Sequence, residues 1–413
     1  MSDERPTPTR IELAIARAMR RRSMSRRTFF VRAGQGGLAL GAAMSLPALL
    51  AACAPGSQAP TGPLRWLNWP AYIDIDEEID PDPTQYPSLN AFIASTGIDV
   101  EYNEGLLDNA DFLATYAPDL RAGNPTAWDV MSPGGWVVER MARNSWLEEL
   151  DHSKLPNWTA NCADYAKGLW FDADNQYSVW WQGGITGIGY DPNLTEREIT
   201  SFDDLLDPAF SGRVGGFSDM RDMFGLTLLS LGVQPANATV DDVQRAQEKL
   251  LDVPEGHFAF YDNSYYDALA AGNLALSVAW SGDISQMQLN DNPEVRFVIP
   301  DTGGMRWNDN LVIPKGTSRK DDAHKLIDHY YDVTAAATLS EWIGYFTPVR
   351  DLDQRVLEDA AAAETDEDRE YLEVLAPTLV PTTDQINNTH LDKQLTEEEE
   401  AEWNSLFDVV LGA

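Results

Sequence analysis

Between residues 64 and 131, short apolar or aromatic runs alternate with longer stretches in which apolar side chains recur every three or four positions. The runs at 64–68, 98–102 and 128–131 predict strands, and the amphipathic stretches at 88–95 and 110–122 predict helices between them. This is a βαβ rhythm, the pattern of a sheet with parallel strands and helical crossovers. It resumes after residue 185, with strands expected at 187–190, 214–217, 275–280 and 296–299 and helices at 223–231 and 240–251. Two blocks of the rhythm predict two α/β lobes, and 413 residues suffice for two cores. No short repeat is found, and the one internal biased tract is acidic and alanine-rich, at 358–369. The tail predicts a closing helix. Thr396 and Glu399 have capping-box spacing, the glutamates at 397–400 suit the positive end of a helix dipole, and Trp403, Leu406 and Phe407 share one face.

The first 52 residues follow a different pattern. Ser25-Arg26-Arg27-Thr28-Phe29-Phe30 sets paired arginines before two aromatics, and residues 33–52 carry no charge. This resembles a twin-arginine export signal, with Arg26 and Arg27 as its signature. Its apolar part is rich in Gly and Ala and broken by Pro47, a poor membrane span. It closes on Leu50-Ala51-Ala52-Cys53, which resembles a lipoprotein processing site. Cys53 would then become the lipid-modified mature N-terminus, with residues 53–63 as a flexible tether rich in Pro, Gly and Ser. The other cysteine, Cys162, lies in an unrelated context, so no disulfide is expected.

Charge sharpens the division. The chain has 30 basic and 66 acidic residues, of which the first 52 residues take nine and three, so that from Cys53 onward 21 face 63. Nucleic acid is an unfit partner for that surface, whereas a small cation would be concentrated by it. A solvated acidic surface serving solubility explains the same charge without any ligand.

Several local patterns arrive in a telling order: Asn68-Trp69 with Tyr72, Thr96-Gly97-Ile98, Trp128-Asp129-Val130, Leu205 with Pro208, Phe210-Ser211-Gly212, Ser218-Asp219-Met220-Arg221-Asp222, Trp280-Ser281-Gly282, Trp307-Asn308-Asp309-Asn310 and Ile343-Gly344-Tyr345-Phe346-Thr347-Pro348. In these, from Leu64 to about Arg350, the chain resembles the spermidine/putrescine-binding proteins of ABC importers. The resemblance implies the two-lobed, type II periplasmic binding protein fold with a ligand cleft between lobes. Lobe 1 would hold 64–184 and 308–350, and lobe 2 would hold 185–307 and 351–413. It further implies a protein that closes around a polyamine, works as a monomer without a cofactor or enzymatic activity, and presents both lobes to an ABC transporter permease and its ATPase. Such a protein would stand outside the cytoplasmic membrane, here held to it by the lipid on Cys53.

A polyamine at neutral pH is a chain of ammonium groups with pKa near ~10.4, spaced by methylenes. Its charges need carboxylates and its methylenes need flat walls that also favour cations. The positions matching the family's site supply both: Asp219, Asp222 and Asp309 as carboxylates, and Trp69, Tyr72, Trp136, Trp280, Trp307 and Tyr345 as walls. Asp219 and Asp222 could instead cap a helix, and several tryptophans, among them Trp180 and Trp181, could be core. The chain departs from the family at Pro70-Ala71, where a hydroxyl and often an acid is usual, and at Gly134-Gly135 before Trp136, where a hydroxyl is usual. Both departures remove polar contacts from one terminal amine, which leaves open a shorter, capped, guanidino or quaternary ligand.

Three other readings stand beside this one. An exported enzyme finds little support in five histidines (His152, His257, His324, His329 and His390) and no HExxH, GxSxG or CxxC pattern. A binder of an anion, sugar or metal would want other groups: arginines and helix N-termini for an anion, clustered tyrosines such as Tyr261, Tyr265 and Tyr266 for ferric iron. A polyamine sensor without transport would share every feature named above.

Overall fold

The structure is a computed structural model that describes residues 62–75, 86–262, 264–363 and 365–412. Arg26, Arg27 and Cys53 lie outside the described residues. Ten strands form a single sheet among those residues: β1 (Leu64–Leu67), β2 (Val100–Asn103), β3 (Val130–Met131), β4 (Ser178–Tyr190), β5 (Val214–Phe217), β6 (Phe258–Tyr261), β7 (Leu276–Trp280), β8 (Arg296–Val298), β9 (Gly304–Val312) and β10 (Thr389–His390). Their order is β2-β1-β3-β9-β4-β7-β5-β6, with β10 beside β9 and β8 beside β4.

Each end of the sheet is parallel, β1 with β2 and β3, and β5 with β6 and β7. Helical crossovers such as Pro87–Thr96 and Met220–Ser230 connect these strands, as parallel pairing requires. The two ends meet at an antiparallel pair, β4 with β9. β4 has 13 residues, all buried, and by strand rise is about 43 Å long. Its first part pairs with β9 and its last part with β7 and β8, so one strand runs through both halves.

Side chains gather on either side of that pair. One large core contains Trp66, Phe92, Trp181, Leu311, Leu326 and Tyr331, with a smaller neighbour around Leu67, Phe112, Val138, Met141 and Val312. The other contains Ile188, Phe202, Phe217, Phe224, Ala279 and Ile284, and the tail adds Trp403, Phe407 and Val410 to it. The closing helix, Glu397–Leu411, starts at Thr396 with both halves of the capping box formed.

Three expectations need adjustment. The strand expected at 187–190 is the end of β4, whose first nine residues lack any polar alternation because both faces are buried. The helix expected at 223–231 starts earlier, at Met220, because Asp219 caps it by accepting from the Asp222 N–H at 3.0 Å. The stretch 351–413 does not pack as one block. Helices Leu352–Ala361 and Asp366–Leu379 build a small core of their own from Val356, Ala360, Leu372, Leu375 and Leu379, with Leu352 buried in the first large core.

Candidate functional site

β9 carries the centre of the site. Trp307 and Asp309 are two residues apart and therefore on one face of the strand, with Gln182 of β4 opposite Asp309. Asp309 is 8% exposed, and among the described residues no Lys, Arg or His lies within ion-pair reach of it. Burial pushes its carboxyl up to about 7, against the opposing help of hydrogen-bonding groups on Tyr72 and then Trp69. The Trp69 indole N–H also donates to the Ser132 carbonyl at 2.8 Å. The result is a buried acid whose carboxyl is raised by burial and which has no partner cation among the described residues.

Aromatic rings run from this acid to a second one. Tyr72 meets Tyr345 edge-on at 5.6 Å, Tyr345 meets Trp307 at 5.4 Å, and Trp307 meets Trp280 at 6.3 Å. Trp280 then donates its indole N–H to Asp222 at 3.2 Å. Tyr345 is held by its hydroxyl, which donates to Asp283 at 2.5 Å, and by Gly282, where a Cβ would come within 2.5 Å of the ring. The Trp307 indole N–H is buried with no acceptor among the described residues.

Asp222 stands at the first turn of Met220–Ser230, accepting from Thr186 of β4 at 2.8 Å as well as from Trp280. Burial, then the neighbouring charges of Asp219 and Asp392, lift its carboxyl well above the usual range. The Asp219 carboxyl, at the mouth of the helix start, is raised by the protein mass packed around it, opposed by the Asp222 N–H and the Arg221 charge. Asp392, from the segment after β10, is pushed up to about 6, again by burial first. Three carboxylates thus crowd one end of the aromatic run.

The sequence-predicted set divides on this geometry. Trp69, Tyr72, Trp280, Trp307, Asp309, Tyr345 and Asp222 are joined through the contacts above, and Asp219 sits beside them while capping its helix. Trp136 is different: Arg221 lies 4.5 Å and Arg140 5.4 Å from its ring centroid, so its ring is engaged by the protein's own cations. Trp180 and Trp181 are core, at 2% and 1% exposure, with Trp181 packed on Trp66 and Tyr330. Tyr265 and Tyr266 donate to different acids, Asp283 and Asp291. Thr186, Asp283, Arg221 and Asp392 were not foreseen. Asp283 was within reach, three residues after Trp280, but Thr186 and Asp392 come from distant chain segments with no local signal.

At Gly134 the backbone N–H donates to Asn109 at 3.0 Å, and a Cβ there would lie 2.8 Å from the Asn109 amide nitrogen. The asparagine fills the space in which the resemblance expected a hydroxyl. Near Ala71, whose φ of 54° is left-handed, Glu104 accepts the backbone N–H at 3.2 Å, and burial raises its carboxyl to about 7.

Residues 88–367 match the family of bacterial extracellular solute-binding proteins. The spermidine/putrescine-binding periplasmic protein 1 of Haemophilus influenzae is 28% identical over 303 residues, covering 73% of this chain and 79% of that protein. The putrescine/cadaverine-binding protein of Pseudomonas aeruginosa is 31% identical over 241 residues, 55% of this chain and 67% of that one. Among solved structures, the spermidine/putrescine ABC transporter substrate-binding protein of Streptococcus pneumoniae superposes with a TM-score of 0.66 at 23% identity, covering 85% of this chain and 98% of that one, a likeness of fold.

Proposed function

Because the chain belongs to the bacterial extracellular solute-binding proteins, we propose that it captures a small di- or polyamine outside the cytoplasmic membrane and delivers it to the permease and ATPase of an ABC importer. The observation that carries this reading is Asp309: a buried carboxyl without a cation among the described residues, with Trp69, Tyr72 and Trp307 beside it. A buried acid of this kind costs stability until a counter-charge arrives, and aromatic rings favour an ammonium with methylenes over a metal ion. An anion would meet Asp309, Asp222 and Asp392 in the same region and be repelled. The names of the two relatives, both of which carry putrescine, support the same ligand class.

On this reading the halves built around β1 and β5 are the lobes, 64–184 with 308–350 and 185–307 with the closing helix, and they close on the ligand by bending at the β4–β9 pair. The protein acts as a monomer, exported through Arg26-Arg27 and anchored by lipid on Cys53. Calorimetric titration with putrescine, spermidine, spermine, agmatine, choline and glycine betaine tests the ligand. One-to-one binding of an amine, abolished by Asp309→Ala, is expected; heat from a sugar or an anion and none from any amine would reject it. Radioactive palmitate incorporation lost in Cys53→Ser tests the anchor.

A further inference from the structure

In the middle of β4 the run Trp180-Trp181-Gln182-Gly183-Gly184 places one carboxamide among aromatic residues and glycines. A carboxamide taken out of water needs partners for both its carbonyl and its amide nitrogen. Gln182 is 2% exposed, and its side-chain carbonyl oxygen is sealed from water with no donor among the described residues. Nor does its amide support Asp309, whose hydrogen-bonding neighbours are Tyr72 and Trp69. A methionine would fill the same space without leaving a buried acceptor unmet.

The ladder fixes where this side chain points. β4 and β9 pair Gln182 with Asp309 and Gly184 with Trp307, and residues directly paired across a sheet put their side chains on one face. Gly184 confirms the face: a Cβ there would come within 2.7 Å of the Trp307 ring. A register shift between Trp180 and Gln182 produces this alignment. The residue it leaves over, Trp181, goes into the core against Trp66 and Tyr330, and Gln182 comes into line with Asp309. On the other edge of β4, Gly183 exchanges two backbone bonds with Phe346, at 3.1 and 2.8 Å, next to Tyr345 of the aromatic run. Gln182 is thus held between the strand of Asp309 and the segment of Tyr345, and it shares a face with the acid without bonding to it.

Two acceptors side by side, one charged and one neutral, match the donors of a protonated amine. An ammonium group of the primary kind carries three N–H donors and no acceptor. With one N–H on Asp309, a second is free for the Gln182 carbonyl, while the rings of Tyr345 and Trp307 take the methylenes. The carboxamide adds an acceptor without adding a second buried charge. A tertiary ammonium has one N–H and a quaternary one has none, although both carry the same charge.

We propose that Gln182 is a ligand-contacting, specificity-determining residue that forms with Asp309 a two-acceptor cradle for one ammonium group, so that the cleft takes primary and secondary amines and turns away tertiary and quaternary ones. This rests on the amine-binding reading above and narrows its substrate class.

The test titrates the full-length protein with putrescine, with spermidine and with the tertiary, N-methylated form of each, which keeps the chain and the charges but leaves one N–H per nitrogen. The proteins are the wild type, Gln182→Met and Gln182→Asn, and the tighter of the two amines carries the comparison. Wild type is expected to prefer that amine to its tertiary form by about tenfold or more, the fold-change of one hydrogen bond to a charged group. Gln182→Met should weaken the amine by about tenfold or more, hold the tertiary form to within about twofold, and leave the urea midpoint of the free protein no lower, because an unmet buried group has been removed. Gln182→Asn, which draws the same amide back by one methylene, should show the same selective loss and serves if circular dichroism shows Gln182→Met unfolded. An unchanged amine affinity in the variant overturns the proposal, as does an equal loss for the amine and its tertiary form. A wild type that takes both forms equally also overturns it, and so does a loss matched by a fall in the urea midpoint of Gln182→Met, which would assign Gln182 to packing. Failure of putrescine and spermidine alike to bind the wild type would reject the amine reading itself, and this inference with it.

Discussion

Asp309→Asn removes one charge from the centre of the site without changing the shape of the side chain, and its effects have opposite signs in the free and bound protein. The rise of the Asp309 carboxyl from an ordinary 3.8 to about 7 corresponds to about 4 kcal/mol of preference for the neutral form. In the free protein, between those two values, the folded state holds a proton that the unfolded chain has released. Stability therefore falls as pH rises through that window, and the whole cost is present above about pH 7. Asp309→Asn should flatten this slope and leave the free protein more stable than wild type near pH 8, by up to about 4 kcal/mol. Binding runs the other way. An ammonium stays charged across the range and needs the ionised carboxylate, so below about pH 7 each amine bound should expel one proton from Asp309, with affinity falling about tenfold per pH unit. Truncating such a pair costs about 2–5 kcal/mol of binding. Calorimetry in two buffers of different ionisation heat, at about pH 6 and about pH 8.5, counts the protons, and urea melts at the same values follow stability. Asp222 and Asp392 also sit above their ordinary range, so the difference between wild type and Asp309→Asn isolates the central acid. Equal proton release in both proteins, or a variant no more stable than wild type near pH 8, would refute the reasoning.

Trp307→Leu should weaken amine binding by about tenfold or more with a smaller shift of the urea midpoint, since the ring is only half buried at the edge of a core and lines the proposed site. Gly282→Ala should drive a methyl into the Tyr345 ring, loosen its bond to Asp283 and destabilise the protein by about 1–3 kcal/mol, with a parallel loss of affinity read by titration. Thr396→Ala removes the cap of the closing helix and should cost about 1 kcal/mol by urea melt, with amine affinity held to within a factor of two or so. Native Cys162 should resist thiol reagents near pH 8 and react once unfolded, because burial raises its thiol to about 11; rapid labelling of that residue in the folded protein would contradict its placement.

How far each part could be read from the chain follows from where its information lies. Helix Val240–Leu251 was read at both ends because Thr239 and Asp242 write its start locally and Val243, Ala246 and Leu250 give it a buried face. β5 was read because a short apolar run sits between turn residues. β4 and β9 were largely missed for opposite reasons. β4 is buried on both faces and interrupted by glycines, while β9 carries Asn308, Asp309 and Asn310 where a strand core would be apolar. On the proposed reading the polar run belongs to the ligand site, where function would override the pattern. Asp309 could be picked out only through the resemblance of the residues around it. That Asp222 would be held by Thr186, or that Asp392 would join from the tail, depends on β4 and β10 lying beside β9 and Met220–Ser230, which no local spacing encodes.

The glycines of β4 carry a consequence for motion. At Gly183 a Cβ would strike Trp180 at 2.3 Å and the Trp307 carbonyl at 2.6 Å, at Gly184 the Trp307 ring at 2.7 Å, and at Gly187 the Val298 carbonyl at 2.5 Å. The strand is thus hemmed in where it passes from one half to the other, and it remains hydrogen-bonded to β9 along the passage. A loose linker lets two bodies wander; a laddered pair of strands behaves as a torsion bar, storing energy when twisted and returning it on release. Opening would then be a narrow, springy excursion about one axis, and the amides of that ladder should exchange with solvent more slowly than those of the elements it moves.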